Sequence, residues 1–250
     1  MMLTEQDKKN ILNEFPNIKL SYEKIIHNKV YPLKDDYLLV IPEGKKCFAW
    51  FTTFNDRPVC FILELDNKNK KEIKNIKVMN CCFSNSLSYG TILYGTLFYH
   101  LNNNFFSIED IYLYKGQDIS NLDFNSKLNK FVNILKNDIK QISYNNYFVI
   151  FGLPIISKSY EDLDRKITEI KYRINSINYK NKKNSTLLLS FHKYKSNEKM
   201  EEVKRIEEVK RVEEVKRVEE VKRVERNNIK IMYHYTIYDV NGTRQKKYFK

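Results

Sequence analysis

Glycine and proline are scarce, six and five residues in a chain of 250, and alanine is rare as well. None of the glycines falls in the Gly-rich pattern that cradles a nucleotide phosphate, which excludes a P-loop and a dinucleotide-binding turn. Cysteine is limited to Cys47, Cys60, Cys81 and Cys82, with no CxxC pair. The scattered histidines (His27, His100, His192, His234) stand at no ligand spacing, so the usual zinc sites are excluded and buried, reduced thiols are expected. No apolar run approaches the ~20 residues of a membrane helix. The polar start, MMLTEQDKKN, lacks the pattern of a signal peptide, so an intracellular protein with no membrane partner is expected.

What is abundant is lysine, asparagine, isoleucine and aromatics, a bias that fits AT-rich coding better than any functional need. Hydrophobic residues at 42% and aromatics at 14% are enough for a packed core. The only tryptophan, Trp50, reads as part of that core. The net charge is +13, and its placement matters more than its size. One internal repeat, EEVKRI and three copies of EEVKRV, spans Glu201 to Arg226 and holds nine Glu against four Lys and five Arg, so it nets zero. The whole surplus therefore sits on the remaining chain, which suits a polyanion: nucleic acid, nucleotide or an acidic membrane surface.

Periodicity and punctuation predict an α+β fold. Thr4 caps a helix reaching about Glu14, and Pro16 ends it. Ser21 to His27 reads as a further helical turn. Tyr37 to Ile41 is a strand, and Cys47 to Phe54 with Pro58 to Leu65 is a hairpin across Asn55-Asp56-Arg57. Asp66 to Lys77 reads as an exposed connection with a short edge strand. A central hairpin pairs Thr91–Tyr99 with Phe105–Tyr114 across Asn102-Asn103-Asn104. Asn121 to Gln141 is helical, with Leu128, Phe131, Val132, Leu135 and Ile139 on one face. Tyr147–Leu153, Tyr172–Tyr179 and Thr186–Phe191 are strands, and Ser159 caps a helix to about Ile170. The repeat places Val or Ile every third residue, so its apolar positions drift around a helix instead of forming a seam. It is expected to be one long, exposed, charge-laced helix. The domains so defined are 1–197, the inserted helix 198–226, and 227–250, where Ile229 to Val240 returns as a strand of the first domain before a basic tail.

Inside the central hairpin, Glu109 and Asp110 are adjacent carboxylates in an apolar run. Strand alternation sends neighbours to opposite faces, so one of them, Asp110, is expected to point into a pocket.

The run Gly90-Thr91-Ile92-Leu93-Tyr94-Gly95, followed by Phe106-Ser107-Ile108-Glu109-Asp110-Ile111 and Lys115-Gly116, resembles the covalent nucleotidyltransferases. These are the mRNA capping guanylyltransferases and the DNA and RNA ligases, here in the divergent form carried by giant DNA viruses. The resemblance covers residues 20 to 180. It implies an antiparallel-rich nucleotidyltransferase-like domain, Mg2+ and a nucleoside triphosphate as cofactors, RNA or nucleotide as partner, and a place in the host cytoplasm or virion. It also implies a lysine nucleophile in a Lys-x-Asp-Gly-x-Arg motif, which here reads Ile41-Pro42-Glu43-Gly44-Lys45-Lys46. Isoleucine stands at the nucleophile's position and cannot form a phosphoramidate. Leu93-Tyr94-Gly95-Thr96 replaces Leu-Asp-Gly-Glu, Asn175-Ser176 replaces a carboxylate-bearing pair, and Ser107 replaces the aromatic before the acid. The implied nucleotide-binding set is Glu43, Gly44, Lys46, Gly95, Asp110 and Lys230, with Asp110 as the metal ligand. Lys193 and Lys195 compete with Lys230 for the late Lys-x-Lys motif, and Lys45 or Lys46 is the only candidate for a displaced nucleophile. A degenerate, inactive nucleotidyltransferase that still binds nucleotide or RNA is the first expectation. A non-enzymatic viral scaffold with a basic surface and an active enzyme using a displaced lysine are the alternatives.

Overall fold

The computed structural model describes residues 3–20, 23–30, 32–34, 36–66, 72–181 and 186–196, with 219, 237–238 and 244–245. The chain divides into two units, Met1–Lys195 and Ser196–Lys250. In the second, strands Ile237–Tyr238 and Arg244–Gln245 pair antiparallel; the expected repeat helix, apart from Glu219, and Lys230 lie outside the described residues.

In the first unit, helix α1 (Glu5–Glu14) opens with a capping box. The Thr4 hydroxyl accepts from Asp7 N, and the Asp7 carboxylate accepts from Thr4 N at 2.8 Å. Strand β1 (Glu23–Ile26) stands where a helical turn was expected. A single turn cannot repay its own nucleation, whereas a neighbouring strand offers this segment a ladder. The chain continues through β2 (Tyr37–Pro42), β3 (Lys45–Phe54), β4 (Arg57–Leu65), β5 (Ile73–Met79) and β6 (Cys82–Phe83). The central hairpin is β7 (Thr91–His100) and β8 (Asn103–Tyr114), with β9 (Gln117–Asp118) folding back on it. Its turn falls at Leu101-Asn102, both at positive φ, one step earlier than the asparagine run suggests.

Next come α2 (Phe124–Asn133), β10 (Ile139–Lys140), β11 (Val149–Gly152), β12 (Ile155–Ser157), α3 (Tyr160–Ile167), β13 (Ile174–Lys180) and β14 (Thr186–Ser190). Residues 191–196 are helical. The predicted helix 121–141 is shorter, because α2 passes into a π-helical turn, Ile134–Asp138, before β10. Its buried face is Phe124, Lys127, Phe131 and Ile134, while Val132 is exposed.

The architecture is α+β with antiparallel-rich sheets. The larger sheet has the order β11-β8-β7-β3-β4-β5, with β9 on β8, and only β11 and β8 run parallel. The smaller has the order β1-β14-β13-β2-β12, with β1 parallel to β14. The short turn at Glu43-Gly44 carries the chain from β2 of one sheet into β3 of the other. Alternation along β3 splits its apolar residues between two cores: Cys47, Ala49 and Phe51 on one face, Phe48 and Trp50 on the other. Trp50 packs against Phe15 and Phe61 there, as its apolar setting predicts. All four cysteines are free thiols, and burial pushes Cys47 up to about 12.

On the small sheet, Leu38, Val40, Ile177, Tyr179 and Leu189 pack with Leu163 and Ile167 of α3. Alternation sends Ser176, Asn178 and Lys180 to the other face, and all three are buried. A polar face that would ordinarily meet water is covered instead.

Candidate functional site

What covers that polar face is the central hairpin, and a bulge makes the contact possible. Thr96 pairs with Ser107, Gly95 with Ile108, and Tyr94 with Asp110, so Glu109 is the extra residue on β8. The insertion resets the alternation. Glu109 and Asp110 therefore line the same small space, about 10 Å³, with Glu23, Leu39, Tyr94, Asn178, Lys180 and Thr186. That corrects the expectation that only Asp110 faces a pocket. The space has room for about one water molecule.

Gly95 lets the bulge form. A Cβ there would overlap the Ser107 carbonyl oxygen and approach Cε1 of Phe106 to 2.8 Å. Gly95→Ala is expected to lower stability by roughly 1–3 kcal/mol through this crowding, and a β-branched residue by more. The urea midpoint would measure it; an unchanged midpoint would show that β8 can back away without cost.

Each carboxylate of the bulge is neutralised from a different element. Glu109 accepts from Lys46 Nζ of β3 at 2.5 Å and from Thr96 Oγ1 of β7 at 2.5 Å. Asp110 accepts from Lys127 Nζ of α2 and its own neighbour's Ile111 N on Oδ1, and from Lys180 Nζ of β13 on Oδ2, each at 2.8 Å. Lys127, Lys180 and Asp110 have side chains no more than 4% exposed. Burial pushes the Asp110 carboxyl up, but the Lys180 and Lys127 ammoniums outweigh it and hold the group below its ordinary value. The ammonium groups also lie over rings: Lys46 over Tyr94, Lys127 over Tyr112 and Lys180 over Phe124. One carboxylate thus ties both sheets and α2 together.

Of the residues expected to form a nucleotide site, the structure gathers Lys46, Gly95 and Asp110 and leaves Glu43 and Gly44 at the turn between β2 and β3, while Lys230 lies outside the described residues. Ile41 is fully buried in the core between β2 and the large sheet, paired with Ser176. Glu43 is exposed, its backbone N–H donating to the Arg173 carbonyl at 2.8 Å. Gly44 lies so close to β7 that a Cβ would stand 2.8 Å from Thr96 Cγ2. Lys45 shares Glu64 with Lys77, at 3.0 and 2.6 Å. Asn175 is exposed, and the Ser176 hydroxyl donates to Asn178 Oδ1 at 2.9 Å. Lys193 and Lys195 are exposed in the helical segment 191–196.

The sequence reading missed Lys127, Lys180 and the role of Glu109. Lys127 did leave a signal, standing three residues after Phe124 and four before Phe131 on the buried stripe. Lys180 left none, since alternating Ser176, Asn178 and Lys180 reads as a solvated face.

The Mg2+ expected at Asp110 does not fit this donor set. Both of its oxygens already face ammonium groups, and among the described residues no group of three or more His, Cys, Asp or Glu side chains gathers. Beside the cluster lies a cavity of about 410 Å³. Asp110, Tyr112 and Lys127 line its inner wall, and Lys19, Asn17, Ser120 and Asn121 are among the residues of its outer part. Lys19 and Asn17 are exposed. Its size is that of a small-molecule site, lined by amide, hydroxyl and ammonium donors and by the carboxylates of Asp110 and Asp118.

The chain matches no protein-family model and no curated protein. No helix among the described residues is long and apolar enough to cross a membrane.

Proposed function

We propose that this chain is a degenerate relative of the nucleotidyltransferases of mRNA capping and end joining, which binds a nucleotide or RNA and forms no lysyl-nucleotide intermediate. The observation that carries this reading is the state of the nucleophile's neighbourhood. Ile41 is packed into the core, and the adjacent Lys45 and Lys46 direct their Nζ atoms at Glu64 and Glu109. A lysine needs a free amine at a near-attack position to displace pyrophosphate, whereas both of these are engaged in ion pairs. Binding is a different demand. The 410 Å³ cavity offers Lys19, Asn17, Ser120 and Asn121 to a phosphate and sugar, and the chain's surplus positive charge favours a polyanion.

Fluorescence anisotropy with a labelled RNA oligomer and with a labelled nucleoside triphosphate tests the binding. Affinity is expected to fall steeply with salt, log K linear in log salt concentration. Lys19→Glu should weaken it further without changing thermal stability. Absence of binding even at low salt would favour the non-enzymatic scaffold.

A further inference from the structure

Two buried ammonium groups share one carboxylate. Lys127 and Lys180 both donate to Asp110, and all three side chains are almost wholly inaccessible. Glu109 does not offset the excess, because Lys46 already pairs with it. An ammonium group has three N–H donors, and among the described residues each of the two lysines finds one acceptor. The two differ in what lies beside them. Lys180 lines the water-sized space, where Glu23 and Asn178 also stand, so an anion and an amide are at hand. Lys127 lines the 410 Å³ cavity instead.

Neighbouring groups place the Lys127 ammonium at the wall of that cavity. Asp110 Oδ1 lies 2.8 Å from its Nζ and the centroid of the Tyr112 ring 5.8 Å away, and both residues line the same cavity. Asp118 lines it too, within electrostatic reach of Lys127. Among the described residues, however, the ion pair of Lys127 is with Asp110 alone. Buried charges are ordinarily both paired and fully hydrogen-bonded, so a half-satisfied ammonium beside a cavity of ligand size calls for an acceptor.

The charges around the cavity define that acceptor. Lys19 and Lys127 oppose Asp110 and Asp118, and Lys180, behind Asp110, leaves one positive charge over. One oxyanionic group meets this excess, whereas a triphosphate brings several charges against two carboxylates. We infer that the ligand of this cavity carries a single oxyanionic group, phosphate or carboxylate, and that Lys127 anchors it at the inner wall. This rests on the reading of the cavity as a nucleotide or RNA site, and it narrows the ligand to one with a lone anionic head.

Isothermal titration calorimetry on the full chain with adenosine, AMP and ATP tests this, with inorganic phosphate and acetate as competitors. AMP is expected to bind about tenfold tighter than adenosine, the worth of one charge-assisted hydrogen bond, and also tighter than ATP. Displacement of AMP by phosphate alone identifies a phosphate site, and displacement by acetate as well identifies a general oxyanion site. Lys127→Met should abolish the preference for AMP over adenosine. The variant should still fold, since Asp110 and Lys180 remain as a balanced pair. If it does not fold, Asp118→Asn decides: loss of the competing carboxylate should tighten AMP binding about threefold. No AMP binding at millimolar concentration, AMP no tighter than adenosine or ATP, a preference that survives Lys127→Met, or unchanged affinity in Asp118→Asn would overturn the inference. Salt-dependent RNA binding that ignores Lys127→Met would leave the wider reading standing while this one fails. AMP held through Lys127, with no affinity for RNA or triphosphate, would do the reverse.

Discussion

Asp110→Asn is expected to destabilise the protein by about 3–5 kcal/mol, enough to remove much of the stability of an ordinary domain. The substitution keeps the shape and removes the charge. Two ammonium groups, Lys127 and Lys180, would then remain buried beside a neutral amide. The loss comes from those uncompensated cations more than from the lost attraction. A triple replacement, Asp110→Leu with Lys127→Met and Lys180→Met, should therefore cost far less than the single one, since apolar groups of similar volume carry no such penalty. Urea denaturation of both variants separates the two accounts, and equal losses would show that packing, not charge, governs this point.

The same carboxylate sets an acid limit. Its folded value is held below the ordinary one by Lys180 and Lys127 against the upward push of burial. A depressed folded pKa contributes stability that is complete above the unfolded value, about 4, and is lost as pH falls below that through the folded value. Wild-type stability should drop across that acidic range. In Asp110→Asn that part of the drop should vanish.

Ile41→Lys, which places a lysine where the resemblance implies the nucleophile, is expected to yield no labelled adduct with α-labelled GTP or ATP and to lose about 4 kcal/mol or more of stability. Ile41 is fully buried in the apolar cluster that holds Leu39, Phe106 and Phe151, where an unpaired ammonium is costly. The wild type should also remain unlabelled. Removing one catalytic interaction commonly costs 10² to 10³ in rate, and Tyr94, Thr96 and the pair Asn175-Ser176 stand where the resemblance implies carboxylate-bearing motifs. An acid-labile, alkali-stable adduct on the wild-type protein would overturn the non-catalytic reading. Its mapping to Lys45 or Lys46 would show that the ion pairs to Glu64 and Glu109 open during the reaction.

Much of the local structure was legible from residue order alone. Thr4 and Ser159 cap helices because their hydroxyls reach a backbone N–H three residues on, a relation confined to one turn. The hairpins of β3 with β4 and β7 with β8 follow from alternating β-branched and aromatic residues around a short polar turn. Trp50 and the thiols of Cys47 and Cys60 went to the core because each lies in an apolar stretch of its strand, Cys47 to Phe51 or Val59 to Leu63. The pairing of Lys46 with Glu109, sixty-three residues away, was not legible.

Three features belonged to the tertiary structure. The parallel ladder of β1 with β14 made a strand of a segment whose own preferences were weak, because long-range pairing outweighs the propensity of four residues. The bulge at Glu109 overturned the simple alternation rule, since register depends on the strand opposite, and Gly95 permitted the close approach there. The burial of Lys127 and Lys180 depended on a single anion arriving from the central hairpin. A lysine enters a protein interior only where its charge is met, and whether it is met is a property of three elements brought together, not of any one stretch of chain.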